Sequence, residues 1–261
     1  MEQFILPSTF RWEAGEAPNT ATVAIEPCYF GYGTTLGNAL RRVLLSSLEG
    51  AAVTAVKIDG APHEFAAISD VQEDVIEILM NLKQLRLKIF SDEPVRLILE
   101  ASGKGAVRAE QIAKQSDVEI VNPDLVLATL TSDRAKLRME IFAERGRGYI
   151  TTDNRGKERR ELGTIAIDSI FSPVRNVGFQ VENTRVGEIT NYDRLLFTVE
   201  TDGTMSPEEV VRQGAKILID HFALIVQPPV AGDEVMGAAV GAESLVDDVS
   251  DSSTADREET S

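Results

Sequence analysis

Gly33-Thr34-Thr35-Leu36-Gly37-Asn38-Ala39-Leu40-Arg41-Arg42-Val43-Leu44-Leu45-Ser46-Ser47-Leu48-Glu49-Gly50 is the stretch on which the reading of this chain turns. Thr34 is suited to cap a helix start, because its hydroxyl accepts from an amide that lacks a partner within the helix. Gly50 supplies the permissive backbone expected where a helix stops. At about 100° per residue, Leu36, Ala39, Leu40, Val43, Leu44, Ser47 and Leu48 fall on one broad apolar or small face, with Arg41, Arg42 and Leu45 outside it. A helix that covers one core needs a stripe only a little over about 100° wide, and this face is wider. Two readings fit: a helix buried in a single large core, or one packed on its own domain and on another protein chain.

A second helix bears on that choice. Ser206, Pro207 and Glu209 combine an N-cap, a proline at the first helical position and a capping-box acid. The helix they open is predicted to run to about Val226, where Pro228-Pro229 stops it. Val210, Val211, Ile217, Leu218, Ile219, Phe222, Leu224 and Ile225 give it more apolar surface than one small core requires. That favours the interface reading.

Between the helices the pattern is mostly β. Thr22-Val23-Ala24-Ile25-Glu26 alternates and ends at Pro27, which predicts a strand. Val53, Val56 and Ile58 suggest another strand, closed by Asp59-Gly60. Ser69 and Gln72 read as a capping box before an amphipathic helix that carries Val71, Val75, Ile78, Leu79 and Leu82. The alternations Leu85-Leu87-Ile89 and Val95-Leu97-Leu99, around Ser91-Asp92-Glu93-Pro94, predict a hairpin. Val177, Phe179 and Val181, then Leu195–Val199 before Asp202-Gly203, add strands near the C-terminal end. Helices and strands at both ends of a β-rich middle imply a first domain interrupted by a second.

Composition narrows the function. With 261 residues, 43% hydrophobic and 26% charged, the chain has ordinary globular proportions and enough length for a substantial core. No apolar run approaches the roughly 20 residues that span a bilayer, and the N-terminus lacks the pattern of a secretory signal. The single cysteine, Cys28, excludes an intrachain disulfide and fits a reducing cytoplasm. The net charge of −16 argues against holding nucleic acid by phosphate neutralisation. From Ala231 onward stand nine acids and one base, which leaves −8 for residues 1–230. That tail lacks aromatics and is rich in Ser, Ala and Gly, so 231–261 is expected to be a disordered acidic segment.

Catalytic signatures are missing. There is no Asp-x-Asp-x-Asp cluster to hold two metal ions, no G-x-S-x-G elbow and no Cys/His pairing. His63 and His221 are too few and too far apart for a zinc site. Arg145-Gly146-Arg147-Gly148 lacks a full phosphate-loop fingerprint and reads better as a glycine-eased turn whose arginines could meet an acidic partner. No catalytic residue, metal ligand or cofactor site is expected.

The stretch from Gly33 to Ser47 resembles the first helix of the alpha subunit of bacterial DNA-directed RNA polymerase. The resemblance continues, in order, through Ile58-Asp59-Gly60 with His63-Glu64-Phe65, Val71-Gln72-Glu73-Asp74-Val75, Arg145-Gly146-Arg147-Gly148-Tyr149 and Phe171-Ser172-Pro173-Val174. It ends with Val181-Glu182-Asn183-Thr184-Arg185-Val186-Gly187 and Thr201-Asp202-Gly203-Thr204 before Pro207-Glu208-Glu209. It covers about residues 1–228.

The resemblance implies an α+β fold with a discontinuous dimerisation domain (1–49 and 174–230) and a β-rich insert domain (50–173), to which composition adds the disordered acidic tail (231–261). It implies a non-catalytic scaffold of a nucleotidyltransferase, a homodimer that recruits the second-largest and then the largest subunit for DNA-templated transcription. DNA would be met only indirectly, through the cytoplasmic, nucleoid-associated polymerase, and no membrane is involved. The matching dimer elements carry Leu36, Leu40, Val43, Leu44, Val211, Leu218, Phe222 and Ile225. The large-subunit contact falls on Arg42 and Leu45, although an arginine pair such as Arg41-Arg42 would otherwise read as a solvated strip. Nothing after Val230 resembles the family's C-terminal DNA-binding domain, so the chain is either a shortened form or a member without that domain, and upstream DNA contact is left open. A stand-alone acidic interaction module is the alternative reading, and an independent phosphate-binding enzyme the third.

Overall fold

The alternation of Leu195, Phe197 and Val199 sends those side chains into a core, where all three are buried. The computed structural model describes residues 5–155 and 163–226. The chain runs through β1 (Thr9–Ala14), β2 (Thr20–Cys28), α1 (Tyr32–Ser46), β3 (Glu49–Ile58) and α2 (Val75–Lys83). Then come β4 (Leu87–Ile89), β5 (Val95–Ser102), β6 (Gly105–Arg108), β7 (Val118–Ile120), β8 (Val126–Leu130) and β9 (Lys136–Arg147). After β10 (Tyr149–Ile150), β11 (Thr164–Ala166) and β12 (Ser169–Ile170), a long hairpin of β13 (Val174–Val186) and β14 (Ile189–Thr201) leads to α3 (Pro207–Val226). The expected acidic tail and Pro228-Pro229 lie outside the described residues.

The fold is α+β, with two hydrophobic cores among the described residues. The first lies on an antiparallel sheet of order β1-β2-β14-β13. Helix α1 packs on β13 and β14, and α3 on α1, β2 and β14. Val23, Ile25, Leu40, Leu44, Leu48, Val177, Leu195, Phe197, Val199 and Val210 fill it. The second core lies on the sheet β11-β3-β9-β5, closed by α2 and by the pairs β4-β7 and β6-β8. Strand β3 leads from one core to the other, with Leu48 just before it in the first and Val53 in the second.

The ends of the helices follow partly local rules. Ser206 caps α3, its Oγ accepting from the Glu209 N–H at 3.2 Å, as the sequence predicts. Helix α1 instead starts at Tyr32, and its N-cap is Gly31, so Thr34 is not the cap. Gly50 does not stop α1 either. The helix ends at Ser46, and Gly50 lies in β3, where a side chain would collide with the Phe171 carbonyl oxygen. Close backbone approach is what requires glycine there.

Two further expectations are corrected. The capping box of α2 is Asp74 with Glu77, whose N–H donates to Asp74 Oδ1 at 2.8 Å. The Ser69–Gln72 segment is instead tied to the β8 region: the Gln72 N–H donates to the Thr129 carbonyl, and the Thr131 N–H to that of Asp70. The segments around Leu87 and Leu97 are strands but not a hairpin, because β4 pairs with β7 and β5 pairs with β9. Alternation sets which face of a strand is buried, and it leaves the partner strand open.

Candidate protein-interaction surface

Helix α1 is held in place by a carboxylate from the far side of the sequence. Asp193 on β14 is 5% exposed, and its Oδ2 accepts from the Gly31 N–H at 2.9 Å and the Gly33 N–H at 3.0 Å. It satisfies two amides of the first turn that have no partner within the helix, and places negative charge at the positive end of the helix dipole. The same charge adds to burial in pushing up the thiol pKa of Cys28, which is enclosed at the end of β2. Sequence patterning gives no sign of Asp193, because the cap and the helix lie 160 residues apart.

Two glycines let the helix approach its neighbours. A Cβ on Gly37 would stand 2.6 Å from the Phe179 ring of β13, and one on Gly214 of α3 would run into Leu44. Such gaps are below ordinary contact distance, so α1 sits against β13 and crosses α3 only because side chains are missing there. Leu40 and Leu44, expected at a dimer interface, are 7% and 0% exposed within this chain's own core. Leu44 has no surface left to offer, and its apolar character is already used against α3 and the sheet.

The remaining expected contact residues keep surface. Leu36 and Val43 on α1, and Val211 and Leu218 on α3, are half-buried. Phe222 is 58% and Ile225 76% exposed. Beside them Ile219, Leu224 and Val226 are exposed too, so the last two turns of α3 project past their own core with an apolar surface. Exposed large apolar residues clustered on one element mark an interaction site in soluble proteins. Arg42 is exposed and Leu45 is 40% exposed, on the side of α1 away from the sheet.

The arginine-glycine segment serves the fold. Arg145 pairs with Glu49 at 3.1 Å and with Asp92 at 2.7 Å, and Gly146 faces the Phe171 ring. Gly148 has φ +68°, in the left-handed region that favours glycine. His63 is exposed, and His221 is bonded within α3 to the Ile217 carbonyl. Among the described residues no group of three His, Cys, Asp or Glu side chains is placed to hold a metal ion. No helix among them is long and apolar enough to cross a membrane.

On the insert side, Lys83 Nζ meets Asp168 at 3.2 Å. The Asp168 carboxylate also accepts from the Thr152 N–H at 2.9 Å, and that bond, with Lys83, holds its pKa below the ordinary value.

Residues 56–172 match a family described as the RNA polymerase Rpb3/RpoA insert domain. A DNA-directed RNA polymerase subunit alpha from Oceanobacillus iheyensis is 51% identical to this chain over 214 residues, 82% of this chain and 68% of the relative.

Proposed function

The chain belongs to the family of bacterial DNA-directed RNA polymerase alpha subunits, and from that premise we propose that it is the homodimeric, non-catalytic platform on which the polymerase assembles. The observation that carries this reading is the apolar end of α3, where Ile219, Phe222, Leu224, Ile225 and Val226 stand exposed beyond their own core. Burying each large side chain of this kind stabilises by about 1.5–3 kcal/mol, a sufficient driving force for a second copy to cover it. Leu36, Val43, Val211 and Leu218 extend the patch towards the α1–α3 crossing, while Leu40 and Leu44 act from inside by fixing α1. The discontinuous unit built from 1–49 and 174–230 forms the dimer, and the insert (50–173) offers further surface to the large subunits. An interface of this type buries more than about 2,000 Å² in total.

Arg42 and Leu45 are exposed on α1, and in this reading they meet the second-largest subunit, after which the largest joins. Arginine suits the role, because its planar donor fork engages a carboxylate or paired carbonyls. The chain acts in the cytoplasm and reaches DNA only within the assembled enzyme. Sedimentation at low micromolar concentration is expected to give a dimer, and a clean monomer there would remove the premise of the platform. Arg42→Ala should remain dimeric yet lose reconstitution yield with wild-type large subunits, by about 2 kcal/mol or more of binding. Assembly at the wild-type level would place the contact elsewhere, and a monomeric variant would mean that α1 faces its twin with this side.

A further inference from the structure

Arg86 and Asp202 meet where the stretch that matches the insert-domain family joins the rest of the chain. Arg86 stands just ahead of β4, inside residues 56–172. Asp202 follows β14, in the turn that leads to α3. Arg86 Nε lies 3.7 Å from Asp202 Oδ2, with side chains 17% and 7% exposed. That separation makes an ion pair without a hydrogen bond, and Arg86 Nε has no hydrogen-bond partner.

Both ends of the pair are fixed by their own backbones. The Arg86 N–H donates to Asn122 Oδ1 at 2.8 Å, and its carbonyl accepts from the Val121 N–H at 2.9 Å. The Asp202 N–H donates to the Pro173 carbonyl at 2.9 Å, and Asp202 Oδ1 accepts from the N–H and hydroxyl of Thr204. Asp202 thus gives one oxygen to the approach of α3 and the other to the insert. Packing alone does not close this joint. A cleft of about 390 Å³ lies beside it, lined by Leu87, Phe90, Thr204, Met205 and Glu209 among others. Burial pushes the pKa of the Arg86 guanidinium down, Asp202 opposes that shift, and Arg175 adds to it.

We propose that the Arg86–Asp202 pair is a latch that sets the angle between the insert and the α1/α3 unit. A buried pair adds little net stability, because desolvation offsets most of the attraction. Separating its members is what costs, since each charge is then left buried and unpaired. The pair therefore selects one orientation of the two units more than it stabilises either. Arg145 and Glu49, which line the same cleft, pair within the β3–β9 ladder of one sheet and so do not bridge the two units. Both residues of the latch are positioning residues. Their bearing on assembly rests on the platform reading above, because a fixed angle would hold Arg42 and Leu45 in register with the insert surface.

The test is made on the full chain alone, so it fails or succeeds independently of that reading. Nitroxide labels at Lys104→Cys in the insert and Glu188→Cys in the β13–β14 turn report the intrachain distance, with labelled chain diluted into an excess of unlabelled chain. Both positions are exposed, whereas Cys28 is 1% exposed and shielded from the label. Arg86→Met and Asp202→Asn should each lower the melting temperature by several degrees and broaden the distance distribution. The double variant, with neither charge left unpaired, should regain most of the melting temperature yet keep the broad distribution. Amide exchange within β9 and β14 should stay at wild-type rates, which separates a loosened joint from a loosened fold. A wild-type distribution in the double variant would overturn the latch, as would broadening with protection lost in both sheets. If the single variants fail to fold, the double variant decides alone.

Discussion

The carboxylate of Asp193 gives α1 the acceptor that no residue of its own first turn provides, bonding the amides of Gly31 and Gly33 from β14. Removing it leaves at least one buried donor without a partner, a loss of about 1–3 kcal/mol. Asp193→Ala should therefore lower the urea midpoint clearly. Asp193→Asn keeps an oxygen in place and loses only the charge at the helix terminus, about 0.3–1 kcal/mol. Equal losses in the two variants would show that the hydrogen bonds do not matter. Asp168 makes a prediction in pH. Its folded pKa is depressed, first by the Thr152 N–H and then by Lys83, so its contribution is present above the ordinary carboxylate value near about 3.9. It fades as pH falls through the lower folded value. Both side chains of the ion pair are about a third exposed, which limits the effect to about 1 kcal/mol or less. Asp168→Asn should be slightly less stable than wild type at pH 7, and the two should converge as the pH falls through the depressed folded value. A difference that persists in acid would point to packing instead of charge.

At the scale of elements, the closeness of α1 to β13 depends on Gly37 facing Phe179. Alanine is the better helix former by about 1 kcal/mol, so a free helix would gain from Gly37→Ala. Here the new methyl meets an aromatic ring backed by the sheet, and overpacking of that kind costs about 1–3 kcal/mol. A net loss of stability in thermal unfolding is the expected result, and a rise would mean that the ring moves aside freely. This position also marks the limit of what patterning reveals. Helix α3 was legible from Ser206, Pro207 and Glu209 because capping is local chemistry, and β14 was legible because its alternation meets a real core. The apolar face of α1 was legible too, but not how it divides: Leu40 and Leu44 go inward, while Leu36 and Val43 keep some surface. That division depends on where α3 crosses, which Gly214 settles from far along the chain. The pairing of β4 with β7 and of β5 with β9 was hidden for the same reason, since alternation names a face and not a neighbour.

At the scale of the whole molecule, charge and surface divide the work. The chain carries −16 in all, and −8 over residues 1–230, so neither the body nor the full sequence offers the basic field that draws in a phosphate backbone. Among the described residues Arg41 and Arg42 form an exposed pair, and Arg96, Arg138, Arg145 and Arg194 are each matched to a carboxylate. Binding that rests on releasing counterions needs several free cations on one face. What the surface offers instead is apolar, at the end of α3. The isolated chain should therefore show no submicromolar affinity for duplex DNA at physiological salt and no nucleotide incorporation on a primed template. Fluorescence anisotropy with a labelled duplex, read across a salt series, checks the first part. Tight binding that weakens steeply with salt would reveal a basic surface formed elsewhere or only in the dimer, and would make DNA a direct partner. Weak binding at low salt that vanishes near about 0.15 M is the ordinary non-specific background and would leave protein surfaces as what this chain presents.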